Sequence, residues 1–254
     1  MNWPKIKTVL ICLFLAIDIF LAGWDIALRR GKSRVSDEVV ENTVSLLADR
    51  TITVSPALIS RTAPKITTVT AKNPMADEAG FVGKILGTGY IKDGNRFYKP
   101  GKEVELSDNS FIIKEQKKIA SLSEARAWLS DNGFDLSGTV QTEYMGSYLF
   151  RTVYSGFELF KSGVTVTCDG ETAVAEGMLL YVESEDSKKE EILNVTSVLP
   201  RLVTDGAANC EIIGITPGYM CTAAPGERFS ETGAIPVYRI LLSDGREFFY
   251  EAVQ

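Results

Sequence analysis

Histidine is missing altogether from the 254 residues. That removes the side chain most often used as a general base near neutral pH and the commonest metal ligand, so serine-histidine triads, cysteine-histidine dyads and most zinc sites are excluded. Cysteine is scarce. Of Cys12, Cys168, Cys210 and Cys221, the first lies in an apolar run. The remaining three are an odd number and cannot form a fully paired disulfide framework, although Cys210 and Cys221 are candidates for a bridge across a hairpin. A clustered Lys/Arg surface is also lacking, and the formal net charge is -6. Both features argue against phosphate-backbone recognition, and so against a nucleic-acid partner.

Hydrophobic residues make up 45% of the chain and charged residues 24%, which is the balance of a globular protein with a buried core. The longest apolar run is Thr8 to Leu28, TVLICLFLAIDIFLAGWDIAL. It has about the 20 residues that a helix needs to cross a hydrocarbon core. No A-x-A cleavage site follows it, and Leu21-Ala22-Gly23 precedes Trp24 where a lipoprotein box requires Cys, so the reading is an uncleaved anchor. Lys5 and Lys7 flank one end and Arg29, Arg30, Lys32 and Arg34 the other, so charge does not orient it. Asp18 sits at mid-span, where a carboxyl is costly and is expected to face a partner helix or to be protonated. A tolerated Asp in a shifted single span is the alternative. Small residues at Ala16, Ala22 and Gly23 permit close approach of a second helix.

Beyond the anchor, Ser36 caps a helix over DEVVENTVSLLADR with Val40, Val44 and Leu47 on one face, read as a stalk. The Thr- and Pro-rich stretch from Thr51 reads as extended strand or linker. A short helix is expected over Asp77 to Leu86 with Gly87 as its stop. Ser121 and Glu124 have capping-box spacing ahead of a helix that ends at Gly133. Strand pairs flank Asp93-Gly94, Ser107-Asp108-Asn109, Asp169-Gly170 and Asp244-Gly245. The charged run Glu183 to Glu191 reads as a solvated loop leading into a helix through Leu193 and Leu202. The order of helix followed by hairpins recurs, which predicts an α+β fold of antiparallel sheets, each covered by helices. The expected division is 1–35 for cytoplasmic tip and transmembrane anchor, 36–115 for stalk helix and first α+β subdomain, and 116–254 for the second.

Chemistry-bearing motifs are few. GKILGTG lacks the lysine and Ser/Thr that follow the last glycine of a phosphate loop, and Gly31-Lys32-Ser33 lacks its first glycine, so neither reads as one. Glu183, Glu185 and Asp186 are the densest carboxylates, but no spacing selects a catalytic pair. Cys221 as a nucleophile has no histidine to activate it. Asn194-Val195-Thr196 matches a glycosylation acceptor. Tyr144, Tyr148, Tyr154 and Phe157, interleaved with strands that also carry Phe150 and Phe160, are candidates to line a groove, with core packing as the plainer reading. No cofactor is expected.

The opening NWPKIKTVLICLFLAIDIFL, then FVGKILGTGYI, SGFELFKSGVTVTCDGETAV and IPVYRILLSDGREFFYEA, resemble the YycI family, which is related to YycH. The resemblance implies a non-enzymatic, membrane-anchored regulator of the cell-wall-sensing two-component system of Gram-positive bacteria. It also implies a cytoplasmic N-terminus, one spanning helix, an extracytoplasmic YycH-like domain, a YycH-like partner, and a sensor histidine kinase (YycG/WalK-like) that it restrains. Asp18, Ala16, Ala22 and Gly23 are then the expected contacts within the membrane. The rival reading is an extracytoplasmic binding module that captures an envelope ligand or a peptide by edge pairing. An envelope hydrolase with a carboxylate pair is a third.

Overall fold

A computed structural model of the protein describes residues 17–18, 34–185, 192–224 and 226–253. The fold is α+β. Its helices are α1 (Asp37–Ala48), α2 (Glu78–Leu86), α3 (Leu122–Asp131), α4 (Val195–Val198) and α5 (Arg201–Thr204). Its strands are β1 (Ile52–Val54), β2 (Val69–Lys72), β3 (Ile91–Asp93), β4 (Arg96–Lys99), β5 (Lys102–Ser107), β6 (Ser110–Gln116), β7 (Thr139–Tyr144), β8 (Ser147–Tyr154), β9 (Phe157–Asp169), β10 (Thr172–Met178), β11 (Tyr181–Glu185), β12 (Cys210–Cys221), β13 (Glu231–Leu242) and β14 (Glu247–Glu251).

Two units form, and they follow packing rather than chain order. The first gathers the described residues up to Pro64 with Leu193–Gly214 and Leu241–Arg246; the second gathers Lys65–Ile192, Ile215–Ile240 and the chain from Glu247. The boundary 115/116 falls within β6, whose last residue Gln116 pairs with Thr172 of β10.

In the first unit, Ser36 Oγ accepts from Val39 N at 3.4 Å and starts α1. Val40, Thr43 and Leu47 bury one face of that helix, which packs on β1 and α4. The helix read as a stalk is therefore part of a packed body. Strand β1 runs parallel to the start of β12, with Ile52 opposite Cys210. The helix expected through Leu193 and Leu202 is split into α4 and α5, because Pro200 has no N–H with which to continue the ladder. Residues 186–191 of the charged run lie outside the described residues, while Glu183 and Glu185 belong to β11 rather than to a loop.

The second unit is built on a sheet in the order β11-β2-β13-β12-β9-β10-β6-β5-β4-β3, with β8 and β7 continuing from β9 and β14 pairing β13. It is not wholly antiparallel. Tyr219 of β12 lies parallel to Leu159 of β9, since the chain between them is long enough for a crossover that no hairpin could supply. The hairpins β3-β4, β5-β6 and β9-β10 form at the expected turns. One row of buried side chains crosses five strands: Val104 faces Ile113, Ile113 faces Ala175, Ala175 faces Val166, and Val166 faces Tyr148. Helices α2 and α3 supply Phe81, Val82, Ile85, Leu86, Ala125, Trp128 and Leu129 to the same core.

Both helices are capped by their own sequence. Asp77 Oδ1 accepts from Gly80 N at 3.0 Å, and Lys99 donates to the Leu86 carbonyl beside the left-handed Gly87. For α3, Glu124 N donates to Ser121 Oγ at 3.2 Å and Glu124 Oε2 accepts from Ala120 N at 2.8 Å. The capping box thus closes on the backbone N–H one residue ahead of the expected donor, Ser121 N. Gly177 has φ +146°, and a Cβ there would stand 2.1 Å from the Gly163 carbonyl oxygen, so β9 and β10 can approach this closely only with glycine at 177.

Leu129 is fully buried in this core. Leu129→Ala is expected to lose about 2–5 kcal/mol in urea unfolding, whereas Ser121→Ala loses only about 1 kcal/mol with its cap.

Candidate functional site

The partner contact expected from the sequence falls on the apolar stretch Thr8 to Leu28. Of its residues, Ile17 and Asp18 are helical and exposed. The rest of the expected span, with Ala16, Ala22 and Gly23, lies outside the described residues. Among the described residues, no helix is long and apolar enough to cross a membrane.

The four aromatic candidates do not share one groove. Tyr148 is buried in the core beneath α2 and α3. Tyr144 stands exposed near the end of β7, next to Met145. Tyr154 and Phe157 come together because β8 and β9 form a hairpin in which they are cross-strand partners. Both pack edge-on to Tyr219 of β12, with ring centroids 6.4 and 6.5 Å away. The Tyr154 hydroxyl donates to Glu185 Oε1 at 3.0 Å. Burial, together with the negative field of Glu185, pushes the Tyr219 phenol up to about 12. Tyr219 and Glu185 were not legible as members of this cluster, since they lie about 60 and 30 residues further along the chain than Tyr154.

Beside this cluster, a cavity of about 140 Å³ is lined by Tyr154, Thr152, Tyr181 and Asp135. Its floor is a closed polar network: Thr152 and Ser162 hydroxyls meet at 2.8 Å, Leu180 N donates to Ser162 Oγ at 2.9 Å, and Thr152 donates to the Leu180 carbonyl at 3.1 Å. With its polar groups satisfied, this wall is suited to holding a shape rather than to moving protons.

A wider concavity of about 520 Å³ lies over β4, β5 and β6, with Arg96, Lys102, Lys114, Glu103 and Glu115 on its surface. Glu115 Oε2 accepts from the Trp128 indole at 2.7 Å and from Lys102 at 2.9 Å. Burial works to raise the Glu115 carboxyl, but the Trp128 and Lys102 hydrogen bonds and the charges of Lys102 and Lys117 together hold it below its ordinary value. The remaining charges are mixed, as in Arg96, which lies 3.8 Å from Glu103 and 3.3 Å from Glu105.

Cys210 and Cys221 occupy opposite ends of β12 and are both free, since an extended strand advances over 3 Å per residue and cannot fold its ends together. Burial pushes the Cys221 thiol up to about 11, away from a reactive thiolate. Among the described residues, no three His, Cys, Asp or Glu side chains converge to hold a metal ion. Glu183 is paired with Lys72 at 3.5 Å, and Glu185 with Tyr154, so they do not form an acid-base pair. Asn194 caps α4 by accepting from Thr196 N at 3.1 Å.

No protein-family model matches the chain. A comparison with curated proteins finds no match either.

Because the folded pKa of Glu115 is depressed, its contribution to stability is present above the unfolded value near 4.5 and is lost as the pH falls through the folded one. Urea midpoints measured between pH 7 and pH 3 should therefore fall further for the wild type than for Glu115→Gln. The gap between the two proteins should close at the acid end.

Proposed function

We propose that the chain is a non-enzymatic, membrane-anchored regulator of a cell-wall-sensing sensor histidine kinase (YycG/WalK-like), working beside a YycH-like partner. The observation that carries this reading is the apolar stretch Thr8 to Leu28, which holds Asp25 near its end and Asp18 at its middle. A span that served only to tether would be cheaper without that charge, whereas a span that meets another helix can use it. The resemblance to the YycI family adds the kinase, the partner and the orientation, with the N-terminus cytoplasmic and the α+β body extracytoplasmic. A lack of histidine and the high pKa of Cys221 favour binding over catalysis.

Such a regulator shifts the kinase between states only by binding one state more strongly than the other. The small residues Ala16, Ala22 and Gly23 supply close packing in this reading, and Asp18 supplies the polar contact that selects the state.

A second reading, an extracytoplasmic binding module, draws on β7. Among the described residues β7 pairs only with β8, and Val140, Tyr144 and Met145 at this edge are exposed. An extended peptide can add to such an edge through main-chain hydrogen bonds, with side chains in alternate positions giving selectivity.

Asp18→Leu is expected to weaken co-purification with the kinase and the YycH-like partner while leaving the unfolding of the soluble body unchanged. Undiminished co-purification overturns the membrane contact. Residues 1–35 expressed alone should retain part of the kinase control; complete loss of control moves the function to the body and favours the second reading.

A further inference from the structure

Among the described residues, β1, β3, β7, β11 and β14 each pair with a single strand. Four of these edges are blunted. β1 and β3 have three residues each, and β3 carries Lys92 and Asp93. β11 is bulged between Val182 and Ser184 and carries Glu183 and Glu185. β14 begins and ends on glutamate. Short length, a bulge and charge each deny an edge to another strand. β7 differs, because it runs unbulged through six residues without Pro, Gly or Lys, and Glu143 is its one charge. Val140 is 50% exposed and Tyr144 62%. Such an edge is a template for a further strand.

The hairpin fixes which backbone groups that strand would meet. Val153 N donates to the Gly138 carbonyl at 2.8 Å, and Met145-Gly146 is a two-residue turn between the paired Tyr144 and Ser147. Gly138 and Tyr144 therefore turn their backbone groups to β8, and by alternation so do Val140 and Thr142. Gln141 and Glu143 turn theirs to the open side. An antiparallel second copy must then set these two residues against outward-turned residues of its own. A two-fold axis through Thr142 does so. It places Gln141 opposite the second copy's Glu143, and the reverse, so that an amide meets a carboxylate at both positions and no like charges face each other. On the other face of the strand, Val140 meets the second copy's Tyr144, and Thr142 meets its own counterpart. Apolar-aromatic and Thr-Thr pairs are among those that stabilise paired strands. The other in-phase axis, through Gln141, sets Tyr144 against Gly138 and gives its ring no side chain to pack on. The strand is thus complementary to itself in one register.

We propose that β7 pairs antiparallel with β7 of a second copy of this chain, about a two-fold axis at Thr142, joining the two sheets into one. The same patch is used on both copies, so the contact closes at a dimer. The inference goes beyond the regulatory reading, and it assigns to a second copy the edge that the second reading gives to a peptide.

The test uses the full chain in detergent micelles. Across the axis the two Thr142 residues form a non-hydrogen-bonded pair with Cα atoms about 4.5 Å apart, within reach of a disulfide. Two copies of Val140 lie four residues out of register, about 13 Å apart along the strands. Mild oxidation should therefore cross-link Thr142→Cys about tenfold more than Val140→Cys, with the wild type and its native cysteines as background. Thr142→Lys sets like charges face to face at an exposed position and should raise the dimer dissociation constant at least about tenfold in sedimentation equilibrium. Thr142→Ser should dimerise as the wild type does. A chain that is monomeric at every concentration, a dimer that persists in Thr142→Lys, or equal cross-linking of the two cysteine variants overturns the proposal. So does cross-linking of Thr142→Cys in cell membranes to another protein alone, which gives the edge to that partner. A dimer held through the apolar stretch would be lost in Asp18→Leu and kept in Thr142→Lys, and kinase co-purification is expected to be unchanged in Thr142→Lys, so failure here is separable from failure of the regulatory reading.

Discussion

The second unit depends on the row of buried side chains from Val104 through Ile113, Ala175 and Val166 to Tyr148. Five strands must hold one register for that row to form, since a slip of one residue in any of them would turn its apolar side chains to the opposite face. Helices α2 and α3 close over the row, and Trp128 brings the two levels together. Its ring is buried among the apolar residues while its indole N–H reaches Glu115, two residues along β6 from Ile113 and on the same face. A polar group at the rim of the core thereby sets how α3 lies on the sheet. Lys102, opposite Glu115 on β5, completes the contact by balancing its charge.

The loop after α3 inherits this placement. The Trp128 carbonyl receives both the backbone N–H of Asn132, at 3.1 Å, and its side-chain amide, at 2.7 Å. The helix therefore ends with Asn132 pinned, and Gly133 in the left-handed region turns the chain so that Phe134 packs against Phe81 and Phe111. The loop reaches Tyr181 through Asp135 N. Asn132 Oδ1, a buried acceptor without a partner among the described residues, is held in place by the helix end on one side and by the packing of Phe134 on the other.

Local signals in the sequence were the informative ones. Ser36, Asp77 and Ser121 lie at helix starts as their side chains predict, and the D-G turns at Asp93, Asp169 and Asp244 fall between paired strands or strand ends. These depend on interactions within three or four residues, which a single chain displays openly. Long-range placement was not legible. Nothing local announces that β12 lies parallel to β9, that α1 is packed rather than free, or that residues near 50, 200 and 243 share a unit. The candidate site divides in the same way. Tyr154 and Phe157 stood among the aromatics named from the sequence, and a hairpin makes them neighbours, whereas Tyr219 and Glu185 join them from segments brought in only by tertiary packing. An orphaned side-chain oxygen has no signature in sequence at all.

Packing of α1 changes how any movement of the preceding segment would be felt by the folded body. A free stalk would let the preceding segment rotate or slide without cost to the folded body. Here the entry is fastened three times: Arg34 bridges Thr62, Val35 N donates to the Arg61 carbonyl at 2.8 Å, and Arg61 pairs with Asp37 at 2.6 Å. The ion pair is solvent-exposed and adds about 0–1 kcal/mol. Backbone bonds and the buried face of Val40, Thr43 and Leu47 provide the firmer hold. Displacement of the chain before Arg34 must then either break these bonds or carry the first unit with it. In the proposed regulatory reading, the bonds around Arg61 are where force on the chain before Arg34 would enter this unit.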